Sequence, residues 1–361
     1  MLAARSGSGA EPKRPVMSHH QRCASTVTQS RRRSRVRAGR CRAGGNALLL
    51  AFAVAALALP LAGSGPSSAS ARPSAPAPLP PPGTAAQVAK LVGAASKIEV
   101  LPNDLVPNLI EAGNDDVPTY FPETQSGCSG RSQCVFGDLH STHTVALFGD
   151  SHALMWLTAL VPIAVKDRFR LLLLWKPSCP AADVTVWDPV AQRVSTSCTH
   201  YRSTEFALIR KLAPSLVLLA SRTTAVSGAG DKPISDAAWK VGLERTITSL
   251  RSRSTRVAVI GDVVAFNAIL PDCLAANPQH IQLCSVTNPN PKVHEHNADE
   301  MAAAKAEHVP YVNPRPWLCT TICSPVIGNM VSYYNNEHVS ATYASYLSGV
   351  WTMALRRMLP H

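Results

Sequence analysis

The sequence predicts an α/β fold, with a mostly parallel sheet covered by helices on both faces, on three observations. Short apolar runs alternate with longer amphipathic stretches from Thr144 onward, the order of strand–helix units. Residues 170–175 hold four consecutive leucines, a pattern suited to a strand buried on both faces. Two of the runs close on Gly-Asp, at Gly149-Asp150 and Gly261-Asp262. In order, residues 144–148 form a first strand that ends in Gly149-Asp150-Ser151-His152, and 154–166 a helix. Strand 170–175, helix 204–212, strand 215–220 and helix 235–251 follow. The run 256–260 is another buried strand, 298–308 a helix, 309–312 a short strand and 341–358 a closing helix. No internal repeat interrupts the series. In such a sheet ligands bind at the carboxyl ends of the strands, so the residues after each strand carry the most interest.

The chain has 361 residues, 46% of them hydrophobic, with a formal charge of +12. That excludes wholesale disorder, and the position of the charge argues against a nucleic-acid partner. Residues 1–71 carry eleven Lys/Arg and one acid, Glu11, a net +10; the other 290 residues carry 24 basic and 22 acidic groups, a net +2. The basicity precedes an uncharged apolar run at 47–62. Sixteen residues of helix span about 24 Å, less than the roughly 30 Å hydrocarbon core. A basic flank, a short apolar run and then Ala69-Ser70-Ala71 is the order of an export signal with its cleavage site. The alternatives are a cleaved signal peptide and a retained transmembrane anchor, which would keep membrane contact. In both, the positive charge holds the N-terminus on the cytoplasmic side, and Met17 offers a second start. The expected organisation is a basic region over 1–46, the signal core or anchor over 47–62, a linker over 63–84 and one domain over 85–361. Six prolines in 72–83 favour an extended spacer.

Eight cysteines follow the apolar run: Cys128, Cys134, Cys179, Cys198, Cys273, Cys284, Cys319 and Cys323. An even number in an exported chain reads as a disulfide framework. Neighbour pairing is expected, because each pair brackets one loop. The spacing of Cys319 and Cys323 is the nearest approach to a zinc knuckle, and no metal is expected there.

Ser151 stands at a strand-to-helix turn, where a hydroxyl projects outward and a backbone N–H faces a developing oxyanion. The bland alternative is a helix cap, a task that Ser and Asp both perform. His338 lies 187 residues later, just before the closing helix, placed to reach the first strand's end.

With these motifs the chain resembles the SGNH-hydrolase superfamily, and within it the extracytoplasmic SGNH domain that accompanies bacterial polytopic membrane O-acyltransferases. The likeness spans about Leu101 to Leu359. It rests on Cys134-Val135-Phe136-Gly137-Asp138, Leu147-Phe148-Gly149-Asp150-Ser151-His152-Ala153, Lys176-Pro177-Ser178-Cys179-Pro180 and Val259-Ile260-Gly261-Asp262. It continues through Pro271-Asp272-Cys273-Leu274, Trp317-Leu318-Cys319 and His338-Val339-Ser340-Ala341-Thr342-Tyr343-Ala344. The resemblance implies a three-layer α/β/α sandwich, a serine nucleophile at Ser151 and a general base at His338. It also implies O-acyl esters, usually acetyl groups on cell-envelope glycans, as substrates, and no metal or organic cofactor. Because the body carries no polytopic region, a separate membrane acyltransferase would deliver acyl groups. The expected place is the extracytoplasmic side of the cell membrane, secreted or anchored.

The family usually has Asp three residues before the histidine; here Asn335 stands there. Asn can accept the imidazole N–H but brings no charge for the imidazolium. The superfamily's separate Gly and Asn oxyanion donors are not evident, and by position Ser178 and Arg222 line the site instead. Asp150 and His152 also line the site or its oxyanion position, shaping the turn rather than taking protons; Glu337 is expected to point elsewhere, and Trp317 to pack or stack on sugar. Asp262 and Asp272 are expected to serve turns. Two readings stand: an O-acyl esterase or transferase modifying an envelope polysaccharide, or a catalytically weakened module that binds glycan or the membrane partner.

Overall fold

The computed structural model describes residue 76 and residues 78–128, 134–224 and 227–359. The basic region, the apolar run 47–62 and most of the linker lie outside the described residues. Among the described residues no helix is long and apolar enough to cross a membrane.

A helix, α1 (Ala85–Ala95), opens the domain. Thr84 and Gln87 cap each other's backbone N–H there, a reciprocal box that fixes a helix start. Six strands then form the sheet: β1 (Val135–Gly137), β2 (Thr144–Gly149), β3 (Arg170–Trp175), β4 (Leu216–Ala220), β5 (Arg256–Ile260) and β6 (Tyr311–Val312), in the spatial order β1-β3-β2-β4-β5-β6. All neighbours pair in parallel except β1, which runs antiparallel to β3 at the edge. The fold is thus a mostly parallel α/β sandwich with β2 near its centre.

The apolar runs form strands because successive residues serve two separate cores. Val145, Leu147, Leu171, Leu173, Leu216, Leu218, Ala258 and Ile260 pack into one. Ala146, Phe148, Leu172, Leu174, Val217, Leu219, Val257 and Val259 pack into the other. On the first face lie α1 and helix α3 (Leu157–Lys166), followed by α7 (Ala341–Tyr346) and α8 (Ser348–Arg356) from the chain's end. On the second lie α4 (Thr196–Leu212), α5 (Asp236–Leu250) and α6 (Asn297–Ala306).

Three elements depart from the sequence expectation. The helix after β2 begins at Ser151 as a single turn, α2 (Ser151–Leu154), before α3. The closing helix breaks at Leu347, where the incoming chain crosses it: Gly83 N–H donates to the Tyr346 carbonyl, and a Cβ on Gly349 would stand 2.1 Å from the Gly83 carbonyl oxygen. Helix α4 starts eight residues early, capped by Ser195 and tethered by the Cys179–Cys198 disulfide. The other disulfides are Cys128–Cys134, Cys273–Cys284 and Cys319–Cys323, so each pair closes a local loop.

Candidate active site

The carboxyl ends of β2, β4 and β5 meet the loop before α7, and every polar group of the site comes from these four places. Asp150 caps α2, its Oδ1 accepting the His152 N–H at 2.9 Å. Its carboxylate also accepts the Arg222 backbone N–H, at 3.1 and 3.0 Å, which ties the end of β2 to the loop after β4. Burial pushes the Asp150 carboxyl up, with His152 and the N–H donors pulling it back. These bonds hold the turn that carries Ser151.

Ser151 is the first residue of α2, half-buried, and its Oγ lies 2.8 Å from His338 Nε2. His338 sits in the tight loop that ends at Ser340, whose Oγ accepts the Tyr343 N–H and starts α7. Asn335 organises that loop: its Oδ1 accepts the backbone N–H groups of Glu337 at 2.9 Å and His338 at 2.8 Å. The two donors identify this atom as the amide oxygen. Against it, His338 Nδ1 stands 3.2 Å from Asn335 Oδ1 and 3.0 Å from Nδ2. The amide therefore offers the ring both an acceptor and a donor, and two imidazole tautomers compete. Only the one with the proton on Nδ1 leaves Nε2 free to accept from Ser151. His338 also stacks near Tyr334, with centroids 5.5 Å apart. Burial pushes its pKa down to about 2, with the charges of His152 and Arg222 adding.

Beneath this pair lies a second, between His152, expected to line the site, and Asp262, expected only to serve a turn. His152 Nδ1 is 2.5 Å from Asp262 Oδ1, and both side chains are almost fully buried. Asp262 Oδ2 accepts the Thr223 N–H at 2.8 Å and the Thr223 hydroxyl at 3.0 Å, and its Oδ1 accepts the Val263 N–H at 2.8 Å. Burial works against the charge on both members, but each holds the other ionised: the His152 pKa is raised and the Asp262 pKa lowered. The His152 ring centroid is 4.7 Å from that of His338. Asp262 thus does more than serve a turn. Its signal was the repeat of Gly-Asp at the end of β5, the position Asp150 holds after β2. Asp272, by contrast, is an exposed residue in the first turn of helix Leu270–Ala276.

Glu337 pairs with Arg222, its Oε2 2.5 Å from the guanidinium, and its carboxylate stays at the site beside His152 and His338 rather than turning elsewhere. Arg222 is thereby held beside the site with its side chain 31% exposed. Ser178 is exposed at the turn after β3, with a left-handed φ of 55°, and no described hydrogen bond joins it to Ser151 or His338. Trp317 packs edge-on against Trp351, centroids 5.1 Å apart. Donor atoms of His152, Glu337 and His338 lie within 4.8 Å of one another, as do those of Asp236, His294 and His296 on the second face.

A family model described as the SGNH domain (fused to AT3 domains) matches residues 118–352. No curated protein matches the chain. Among solved structures, the chain is similar to the periplasmic domain of a lipopolysaccharide acetyltransferase of Salmonella ser. Paratyphi A. The identity is 16%, covering 66% of this chain and 97% of that one, with a TM-score of 0.50. A carbohydrate acetylesterase from Sinorhizobium meliloti matches at 13% identity, over 60% of this chain and 100% of that one, with a TM-score of 0.40. An aryl esterase of M. smegmatis in an inhibitor-bound form matches at 14%, over 60% and 100%, also at 0.40. At these identities the likeness is one of fold.

Proposed function

The chain belongs to the SGNH domain family, and on that premise we propose that it is an exported O-acyl esterase or acyltransferase acting on acyl esters of cell-envelope glycans. The observation that carries this reading is the 2.8 Å approach of Ser151 Oγ to His338 Nε2 at the carboxyl end of a central strand. In the proposed reaction His338 Nε2 takes the Ser151 proton as Oγ attacks the ester carbonyl. The tetrahedral intermediate collapses, the ester C–O bond breaks, and the leaving hydroxyl takes the proton from His338. Water or a glycan hydroxyl then attacks the acyl-serine as His338 takes its proton; the acyl–Oγ bond breaks and Ser151 Oγ regains a proton from His338. An acetyl group on an envelope sugar is the favoured substrate, supported by the fold shared with a lipopolysaccharide acetyltransferase domain. A separate polytopic membrane acyltransferase is the proposed partner, since the family is described as fused to AT3 domains. Four disulfides support an extracytoplasmic location.

Treatment of the protein with a fluorophosphonate probe tests the reading. The expected result is a single adduct on the peptide that carries Ser151, together with acetate release from an O-acetylated glycan or p-nitrophenyl acetate. No adduct at Ser151, in the native protein and in Asn335→Asp alike, overturns it. A second reading, a weakened module that binds glycan or the membrane partner, is favoured by the Asn335 amide facing His338; it predicts an adduct without turnover.

The burial of His338 has a pH signature. With its pKa near 2, the base stays unprotonated from pH 7 to pH 4. The acid limb that an ordinary histidine places near pH 6.5 is expected to be missing from the rate profile. The stability sign is the opposite: the unfolded chain's His338 takes up a proton below about pH 6.5 and the folded one does not, so this residue lowers stability as pH falls. Ester release across pH 4–7 measures the first effect, and a limb near 6.5 contradicts it.

A further inference from the structure

We propose that His152, Glu337 and His338 form a binding site for a divalent transition-metal ion, zinc by its donor set, and that the bound ion switches the site off. One donor atom from each residue lies within 4.8 Å of the others. Zinc bonds of about 2.0–2.2 Å place tetrahedral ligands roughly 3.4 Å apart, so small side-chain rotations close the site. The decisive feature is His152. It is 2% exposed, and among the described residues its Nε2 finds no hydrogen-bond partner, whereas buried polar atoms almost always have one. Its Nδ1 is held by Asp262 at 2.5 Å, the carboxylate–histidine arrangement that orients a metal ligand. His338 Nδ1 stands against the Asn335 amide, so an incoming ion displaces the Nε2 proton of the ionised His152 ring to solvent and the Ser151 hydroxyl from His338 Nε2.

Two imidazoles and a carboxylate with an open fourth position suit zinc; magnesium and calcium prefer oxygen donors alone. Of the acids here, Asp262 faces His152 and Glu337 faces Arg222. The Arg222 side chain is 31% exposed and can swing into solvent as Glu337 turns to the metal. The Asp236, His294 and His296 group is different. Two of its members are more than 60% exposed, and its ring nitrogens already pair with Asp236 and Asp299.

The inhibitory consequence rests on the Ser151–His338 reading. His338 Nε2 has one lone pair, and a lone pair on zinc cannot take the Ser151 proton. The test uses the full chain carrying Asp236→Asn and His294→Gln, which removes the exposed group. Zinc sulfate is added after chelator treatment, and binding is read by competition with a chromogenic chelator. One zinc per chain is expected, with fluorophosphonate labelling of Ser151 slowed at least tenfold and restored by EDTA. His152→Gln and Glu337→Gln are each expected to weaken zinc binding by at least about tenfold, with circular dichroism confirming that they fold. Absence of bound zinc, or zinc affinity unchanged in both folded variants, overturns the site. Zinc that binds while labelling continues at the same rate overturns the switch. If Ser151 never labels, the reading of the previous section fails, and the binding arm still decides the metal site.

Discussion

Asn335→Asp is expected to raise the turnover of an acetyl ester by about 10²–10⁴-fold. The amide now facing His338 Nδ1 at 3.0 and 3.2 Å presents a donor as well as an acceptor, and the tautomer it stabilises through Nδ2 puts the ring proton on Nε2, against Ser151. A carboxylate accepts only. It fixes the proton on Nδ1 and lends negative charge to the imidazolium, and in a Ser-His-Asp site the reverse change costs about 10⁴ in turnover. Two further outcomes follow from the same arithmetic. Where an intact triad is worth about 10⁶ and the amide has already forfeited about 10⁴ of it, Ser151→Ala lowers native turnover only about 10²-fold. In the Asn335→Asp background the same serine substitution costs about 10⁴–10⁶. The new carboxylate also raises the His338 pKa from its present value near 2, so an acid limb enters the rate profile where the native protein has none. Steady-state turnover of p-nitrophenyl acetate by the native protein, the two single variants and the double variant, across pH 4–8, reads all four. If Asn335→Asp leaves both rate and profile unchanged, the tautomer of His338 is not what limits the chemistry.

The strands were legible because burial on both faces removes the polar interruptions that blur most sequence patterns. Arg170–Trp175 and Arg256–Ile260 have the limits that their apolar runs mark. The edge strand Val135–Gly137 carries no such signal: three residues suffice for its pairing with β3, and only one of them is fully buried. The helix break at Leu347 was hidden because its cause is tertiary: the crossing of Gly83 over Gly349 is invisible along the chain. At the site, Ser151 and His338 could be picked out by their positions at the ends of secondary-structure elements, and the structure brings them together. His152 with Asp262 could not. The two are 110 residues apart and joined by a hydrogen bond between buried side chains, and neither residue type announces such a partner. Glu337 and Arg222 pair for the same reason, each being the residue that its loop happens to turn toward the other.

Gly149→Ala is expected to cost about 4 kcal/mol or more, whereas Gly93→Ala in α1 should be neutral or stabilise by up to about 1 kcal/mol. The contrast comes from what a Cβ meets. At Gly93, exposed in the middle of a helix, a Cβ would meet nothing among the described residues within 4 Å. At Gly149 a Cβ would stand 1.8 Å from the Ala220 carbonyl oxygen, 3.0 Å from its carbon and 3.1 Å from Ala153 Cβ. The oxygen belongs to the backbone of β4, which is held on its other side by β5 through Ala220 and Ile260, so it has no rotamer to escape into. Either the last pairing of β2 with β4 opens or the turn carrying Asp150 and Ser151 lifts. The first loses sheet contacts at the centre of the fold. The second moves Ser151 Oγ away from His338 Nε2, where a displacement of about 1 Å is worth on the order of 10² in rate. Calorimetry should show a melting temperature lower by about 10 °C, and the fraction still folded at low temperature should label with fluorophosphonate far more slowly than the native protein. A variant that melts lower but labels at the native rate would mean that the strain is absorbed in the sheet and that Ser151 is positioned by Asp150 and its contact to Arg222 alone.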